Sequence, residues 1–220
     1  MRTARLLGTL GLVLAPSIAS AQEKNPFTDS WFWGAKGGAV VLNTAVARTT
    51  APMIGADMLV TRSNFALAVG LDQAYFDAVS TVDDAPSRGV VRRVDIRDMR
   101  RLSFAMNVYP HTWSESIRPY VGLGYALNFV VRAASEGSDY ASPEAKDTVL
   151  QRIQDAKSRG SVVGTLGLQI NWRRYAPFVQ ATVMPTQGAG GKFLVNGNGF
   201  TYYIEGGLRY NFGSAIEVLR

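Results

Sequence analysis

The chain of 220 residues contains no cysteine and a single histidine, His111. Without cysteine, neither disulfides nor thiolate metal sites can form, and one histidine cannot build a His-rich metal cluster. We therefore expect no metal and no cofactor. Beyond the N-terminal segment, the sequence also lacks an apolar run of about 18 residues, the length that a transmembrane helix requires. These absences exclude a disulfide-stabilised secreted module and a helical membrane protein.

The sequence also lacks a concentrated block of basic residues. The formal net charge is +6 and the isoelectric point is near 9.7, values that raise the question of nucleic-acid binding. The basic residues are dispersed, however, and no predicted helix carries the basic stripe that duplex binding uses. We therefore expect no nucleic-acid partner.

The N-terminal segment has the pattern of a signal peptide. Arg2 and Arg5 precede the apolar stretch Leu6–Ala15, and Ala19-Ser20-Ala21 supplies small residues for a signal peptidase. The apolar stretch is too short to span a bilayer as a helix, although a retained anchor is the alternative. We predict residues 1–21 to be a signal peptide, cleaved after Ala21, and the protein to be exported.

The remaining chain contains strand-like runs separated by turn and loop residues. We predict a short periplasmic lead at residues 22–30, a barrel domain at 31–212 and a C-terminal tail at 213–220. Most runs reach the length of about 9–11 residues that a tilted transmembrane strand needs. The predicted strands are Trp31 to Leu42, Met53 to Val60, Phe65 to Phe76, Ile96 to Tyr109, Pro119 to Val131, Ser161 to Trp172, Tyr175 to Met184 and Phe200 to Phe212.

The two faces of these strands differ sharply in polarity. In the last strand, alternate residues place Ile204 and Leu208 on an apolar face and Glu205 and Arg209 on a polar face. No charge falls on the apolar face of the strand cores. Aromatic residues lie near both ends, as in the two girdles of a membrane barrel. We predict Tyr109 and Tyr120 to lie in the periplasmic girdle and Phe76 in the outer one. The pattern therefore favours a barrel with lipid outside and polar residues inside.

The connections between the predicted strands alternate in length. Short links at 61–64, 110–118 and 171–174 alternate with longer polar segments at 43–52, 77–95, 132–160 and 185–199. Bacterial outer-membrane barrels combine short periplasmic turns with long external loops and an even number of strands. A predicted helix begins at Ser142-Pro143 in the third long segment and ends near Lys157.

Two segments carry a resemblance to a known group. Pro119-Tyr-Val-Gly-Leu-Gly-Tyr125 and Gly206-Gly-Leu-Arg-Tyr-Asn-Phe212 resemble strands of small eight-stranded outer-membrane β-barrel proteins, the OmpA-like and OmpW-like families. The resemblance implies an all-β fold, an antiparallel up-and-down transmembrane barrel of eight strands, and a non-enzymatic role in the outer membrane. It also implies that Tyr210 and Phe212 form the signal read by the barrel-assembly machinery, although residues 213–220 extend beyond it.

The polar face carries a set of charges that an eight-stranded barrel would enclose. Such barrels are narrow enough for side chains to fill, and enclosed charges need partners. We therefore predict an internal salt-bridge network that plugs the lumen, with a gated path for ions or small solutes as the alternative. The predicted network consists of Lys36, Asp57, Asp72, Arg101, Glu205 and Arg209.

A group of arginines is predicted to lie above the membrane on the fourth strand. Arg92, Arg93, Arg97 and Arg100 could bind the phosphates of lipopolysaccharide, because arginine holds phosphate in a bidentate fork. Arg132 and Lys192 are predicted to lie nearby. The alternative is a solvated rim whose arginines are satisfied by Asp95 and Asp98.

Two other classes of protein remain open at this point. One is a soluble periplasmic barrel of eight strands that binds an apolar ligand, with its charges facing solvent. The other is a lipid-modifying outer-membrane enzyme, for which His111 is the one candidate catalytic residue, although it falls in a predicted periplasmic turn. We expect a monomer whose partners are outer-membrane lipids, lipopolysaccharide and the assembly machinery.

Overall fold

A computed structural model describes residues 27–83, 91–110, 116–137, 139–185, 193–195 and 199–214. The predicted signal peptide, His111 and Lys192 lie outside the described residues. Among the residues that are described, no helix is long and apolar enough to cross a membrane.

The described chain forms a closed barrel in which each strand pairs with its neighbours in sequence and β1 pairs with β8. All these pairings are antiparallel, which confirms the predicted up-and-down barrel of eight strands. The strands are β1 (Ser30–Asn43), β2 (Arg48–Arg62), β3 (Phe65–Asp83), β4 (Val91–Val108), β5 (Ile117–Ser135), β6 (Ser158–Ile170), β7 (Tyr175–Pro185) and β8 (Phe200–Ser214).

The turns from β2 to β3 and from β6 to β7 are tight and lie at one end of the barrel, which we call the turn end. Ser63, in the turn from β2 to β3, has a φ of 53°, and Arg173, in the turn from β6 to β7, has a φ of 55°. The second turn is closed by a bridge between Trp172 and Tyr175. We call the opposite end, where the longer connections lie, the loop end.

Two of the predicted long loops are shorter than predicted, because the flanking strands extend into them. The first is a turn of residues 44–47, because the ladder continues to Asn43 and Arg48 and the Thr44 hydroxyl accepts a hydrogen bond from the backbone N–H of Ala47 at 3.0 Å. In the second, β3 continues to Asp83 and β4 begins at Val91. An ion pair between Asp77 and Arg97 at 2.8 Å ties these extensions together.

The predicted helix is confirmed in the connection between β5 and β6. Helix α1 (Pro143–Ala156) begins with Ser142 as N-cap, whose side chain accepts a hydrogen bond from the backbone N–H of Ala145. Proline at the first helical position suits this start, because its missing N–H would have no intrahelical partner there. Ala145, Val149 and Ile153 of α1 are buried, so the helix packs inward over the loop end.

The orientation of the sheet agrees with the sequence pattern. Apolar residues that the alternation assigned to the outer face are exposed, including Leu67, Leu71, Leu123, Leu166 and Ile204. The charged residues of the opposite face are buried inside the barrel. The soluble alternative required those charges to face solvent, and this requirement is not met.

Three aromatic residues of the predicted girdles point inward instead. Tyr109 and Tyr120 are buried near the turn end, and Phe76 is buried near the loop end. The three have the same parity as the inward residues of β4, β5 and β3, respectively, and Phe76 continues the buried series of Asp72 and Ala74 in β3. The alternation itself therefore directs these rings into the lumen.

Candidate functional site: the barrel interior

Four charged side chains meet near the middle of the lumen and form what we call the ion quartet: Lys36, Asp72, Arg101 and Glu205. Lys36 Nζ lies 2.8 Å from Asp72 Oδ1 and 3.3 Å from Glu205 Oε1. Arg101 Nη2 lies 2.7 Å from Asp72 Oδ2 and also pairs with Glu205. Their side chains are at most 3% exposed. Two cations and two anions therefore neutralise each other out of contact with bulk water.

A second ion pair lies closer to the turn end. Arg209 donates from Nε to Asp57 Oδ2 at 2.9 Å and from Nη1 to Gln169 Oε1 at 2.8 Å. The Arg209 guanidinium also stacks on Phe178, with Cζ 3.6 Å from the ring centroid. All six residues of the predicted lumen network are thus inside the barrel, in two groups rather than one.

A small cavity of about 40 Å³ separates the two groups and is lined by Lys36, Asp57, Arg101 and Arg209 among others. This volume has room for about three water molecules, given roughly 10–15 Å³ of such volume for each. Small residues in the wall make room for the long cations. A Cβ on Gly34 would approach both Arg209 Cγ and Asp57 Oδ1 to 2.7 Å, so a side chain there would collide with the ion pair.

The half of the lumen toward the loop end is apolar. Residues of the wall, of α1 and of the segment Phe193–Val195 form one buried cluster, which we call the loop-side chamber. Tyr203 forms the floor of this chamber, and the ion quartet lies below it. Arg101 Cζ of the quartet is 3.8 Å from the centroid of the Tyr203 ring. The wall consists mainly of Val40, Leu42, Ala51, Met53, Ala74, Phe76, Ala78, Val94, Ile96, Met99, Ala126, Val130, Val163 and Met184.

An aromatic cluster packs inside the barrel toward the turn end. Phe27, which precedes β1, is fully buried and packs edge-on against Tyr109 at a centroid distance of 4.6 Å. Tyr109 in turn packs on Tyr120 at 5.2 Å. The Arg118 guanidinium lies over the Phe27 ring at 4.3 Å, and Thr61 donates its hydroxyl to the Phe27 carbonyl. The predicted lead thus contains a residue that folds back into the barrel.

The arginines of the predicted rim do not form one binding surface. Arg92 donates to the carbonyls of Glu136 and Asp139 and stacks on Tyr140. Arg93 pairs with Glu136 at 3.6 Å, and Arg97 pairs with Asp77.

Arg100 differs, because its partner is neutral: Nε donates to Gln73 Oε1 at 3.1 Å. Arg132 lies 4.0 Å from Asp98. Most arginines of the predicted rim therefore have partners within the chain, although these are mostly not the aspartates that the solvated-rim alternative named.

The two residues of the predicted assembly signal lie on the outside of β8 near the turn end. Tyr210 and Phe212 pack edge-on at 5.0 Å, and Tyr210 also contacts Tyr175 at 5.4 Å. Strand β8 continues to Ser214, so Gly213 and Ser214 belong to the barrel and not to the predicted tail. That the barrel-assembly machinery recognises Tyr210 and Phe212 stays a prediction.

Several features of the interior escaped sequence reasoning. The burial of Phe27 has no local signal, because one aromatic in a polar lead is a weak pattern. The insertion of Phe193–Val195 was also missed, although three consecutive apolar residues in a Gly-rich loop are the one cue that could have indicated it. Gln169 and Gln180, which bind Arg209 and Glu205, were visible only as polar residues of the inner face.

Comparison with known proteins gives similarity at the level of fold. No protein family and no curated protein matches the sequence. Among solved structures, Neisserial surface protein A (NspA) is similar with a TM-score of 0.53 and 12% identity, over 82% of this chain and 96% of that chain.

Two further solved structures are similar at lower scores. The N-terminal β-barrel domain of Pseudomonas aeruginosa OprF gives 0.48 and 10% identity, over 84% of this chain and 98% of that chain. Ail of Yersinia pestis gives 0.43 and 11%, over 83% and 96%. The closed barrel of eight strands and the similarity to NspA together show the fold of small eight-stranded outer-membrane barrels.

Proposed function

We propose that the protein is a non-enzymatic component of a bacterial outer membrane, which it spans as a barrel with a closed lumen. In this arrangement the turn end faces the periplasm and the loop end faces the exterior. The proposal is supported above all by the reversal of polarity relative to a soluble protein. Leucine and aromatic side chains cover the outside, whereas seven charged side chains of the described residues are buried inside.

Energetics favour a hydrocarbon surrounding. Soluble monomers rarely expose contiguous apolar patches larger than a few hundred Å². Here the outward residues of every strand core are apolar: Leu123, Leu166 and Leu67 are 66%, 63% and 62% exposed. In water this surface would drive aggregation, whereas in a bilayer it matches the solvent.

Membrane insertion can be tested by fractionation and gel mobility. We expect the protein to stay in salt-washed membranes, to require detergent for release, and to change mobility on boiling, because a folded barrel resists denaturation by dodecyl sulfate at room temperature. A chain released by salt alone, or one whose mobility is the same with and without boiling, would contradict the proposal.

The closed lumen is a separate part of the proposal. It is supported by the ion quartet, by the Asp57–Arg209 pair and by the apolar or aromatic clusters on either side of them. We expect purified protein in planar bilayers to give no conductance steps above the baseline. Steady conductance of porin size would contradict a closed lumen while leaving membrane insertion intact.

A contact with lipopolysaccharide is supported by Arg100. Arg100 lies next to Leu102 on the outer face of β4, on the side of the loop end, where the surface changes from apolar to charged. It pairs with Phe129 of β5 in the sheet. A guanidinium at this level can bind a headgroup phosphate. We expect Arg100→Gln to reduce co-purification of lipopolysaccharide, whereas Arg93→Gln, which removes a cation paired with Glu136, leaves it unchanged. Equal retention by both variants would contradict the contact.

A further inference from the structure

The segment Phe193–Val195 occupies the loop-side chamber in an unusual way. The three consecutive side chains are only 5%, 2% and 1% exposed. Because three consecutive side chains are all buried, protein surrounds the segment. The segment is part of no strand, and the backbone N–H of Leu194 donates to the carbonyl of Ala156 at 3.0 Å. It is inserted into the chamber as a plug.

Two buried polar atoms lie where the chamber meets its floor. Asn128 Oδ1 and Thr201 Oγ1 have no hydrogen-bond partner within the described part of the chain, and both residues are at most 1% exposed. Asn128 donates to Met184 Sδ at 3.2 Å, and Met184 is the ladder partner of Thr201, so both atoms belong to one level of the lumen. A buried polar atom without a partner costs about 1–3 kcal/mol, which a suitable ligand would recover.

We propose that the loop-side chamber is a binding site for a small uncharged amphipathic molecule, with an aliphatic or aromatic body and a hydroxyl group. The hydroxyl hydrogen bonds to Asn128 Oδ1 and Thr201 Oγ1, and the apolar body replaces Phe193–Val195. An apolar pocket with a few convergent polar groups is typical of small-molecule sites. The inference rests on the proposed function, because that function places the loop end at the exterior.

The ion quartet decides the charge of the ligand. Its two cations and two anions are already paired with each other. A carboxylate or ammonium group brought to this floor would therefore add an uncompensated buried charge, which costs several kcal/mol. A hydroxyl group can donate to Asn128 Oδ1 and accept from the Thr201 hydroxyl without adding charge.

The plug provides a direct reporter of binding. The natural chain has no cysteine, so Leu194→Cys introduces one thiol, which is protected while it is buried. The probe is 1-octanol, added to the protein in lipid nanodiscs while the modification of the thiol by a polar methanethiosulfonate reagent is timed. We expect 1-octanol to accelerate modification at least tenfold and in a saturable way, because it displaces the plug.

Controls separate binding from a general effect on the bilayer. Octane partitions into the bilayer but has no hydroxyl, and we expect it to leave the rate unchanged. Leu150→Cys, an exposed position on α1, should react rapidly with or without 1-octanol. Equal acceleration by octane, or no saturable response of Leu194→Cys to 1-octanol, would overturn the binding site.

Isosteric variants test the polar contacts. In the Leu194→Cys background, Thr201→Val should raise the half-maximal concentration of 1-octanol by about two- to tenfold, the effect of one hydrogen bond. Thr165→Val is the matched control, since Thr165 lies beyond the quartet at the central cavity. Identical responses of the two variants would exclude the proposed hydroxyl contact. Heat-modifiable mobility of each sample reports separately on membrane insertion, so the two proposals can fail independently.

Discussion

At the scale of single residues, charge pairing governs the interior. Glu205 contacts both cations of the ion quartet and accepts a further hydrogen bond from Gln180. Charges this deeply buried need their partners, because the desolvation cost of each ion is offset only by its neighbours. The quartet and the Asp57–Arg209 pair are tolerated because together they contain three cations and three anions, each in contact with an ion of opposite charge.

Removing one partner of the quartet should therefore be costly. We expect Glu205→Gln to lower the free energy of unfolding by about 3–5 kcal/mol, because Lys36 and Arg101 would then share a single carboxylate. The measurement is equilibrium unfolding by urea of barrels refolded into bilayers. The matched control is Asp77→Asn, which breaks an exposed pair with Arg97 and should cost no more than about 1 kcal/mol. Similar costs for the two variants would mean that the quartet contributes little.

Phe27 illustrates a residue whose role only the folded barrel reveals. Its ring packs inside the turn end in contact with Tyr109 and Arg118. We expect Phe27→Ala to let polar thiol reagents reach a cysteine placed at Ala68, which lines the central cavity. Phe212→Ala, which removes an exposed aromatic, should leave that labelling rate unchanged. If labelling is equally slow in both variants, another group closes the turn end.

At the scale of elements, strand length was harder to predict than strand identity. All eight strands were located from alternation, yet β2 begins five residues before Met53 and β3 continues seven residues beyond Phe76. Because the outward residues of these extensions are mostly polar, the sequence pattern predicted loops there. Cross-strand pairs such as Asp77 with Arg97 hold them in the ladder, and such pairs are long-range contacts.

Helix α1 was predictable because its start depends on local chemistry. The Ser142 hydroxyl, through its hydrogen bond to the Glu144 carboxylate, holds the pKa of Glu144 below its usual value. The resulting stabilisation is present above the ordinary glutamate pKa of about 4 and is lost as the pH falls through the lowered pKa.

Loss of the cap should loosen α1. We expect Ser142→Ala to cost the helix about 1 kcal/mol and to increase hydrogen exchange of its amides, while the exchange of β1 and β8 amides stays unchanged. Thr148→Ala, on the exposed side of the same helix, is the control. Unaltered exchange in Ser142→Ala would show that packing on the chamber, and not the cap, determines the stability of α1.

At the scale of the whole molecule, the solvent determines which face can be apolar. Leu123 is near the middle of β5 and Phe65 is next to the turn at the start of β3. We expect Leu123→Arg to lower stability in bilayers by about 2–4 kcal/mol and Phe65→Arg by at most about 1 kcal/mol, because the cost of a charge depends on its depth in lipid. Unfolding by urea from lipid vesicles measures both. Equal costs would argue against a hydrocarbon surrounding.

The sequence by itself determined the class of the fold, the existence of the eight strands and the face that most residues of the strand cores occupy. These properties depend on the alternation of residues along each strand. This alternation is a local pattern, which is visible in the sequence without knowing which strands pair. The lumen charges could be named for the same reason, since Lys36 and Glu205 stand on the polar phase of their strands.

Only the tertiary structure decided how those residues meet. The division of the charges into a quartet and a separate pair, the insertion of Phe193–Val195 and the burial of Phe27 all join residues distant in sequence. Such contacts depend on the register between strands and on how loops fold back into the lumen, and a linear pattern contains neither.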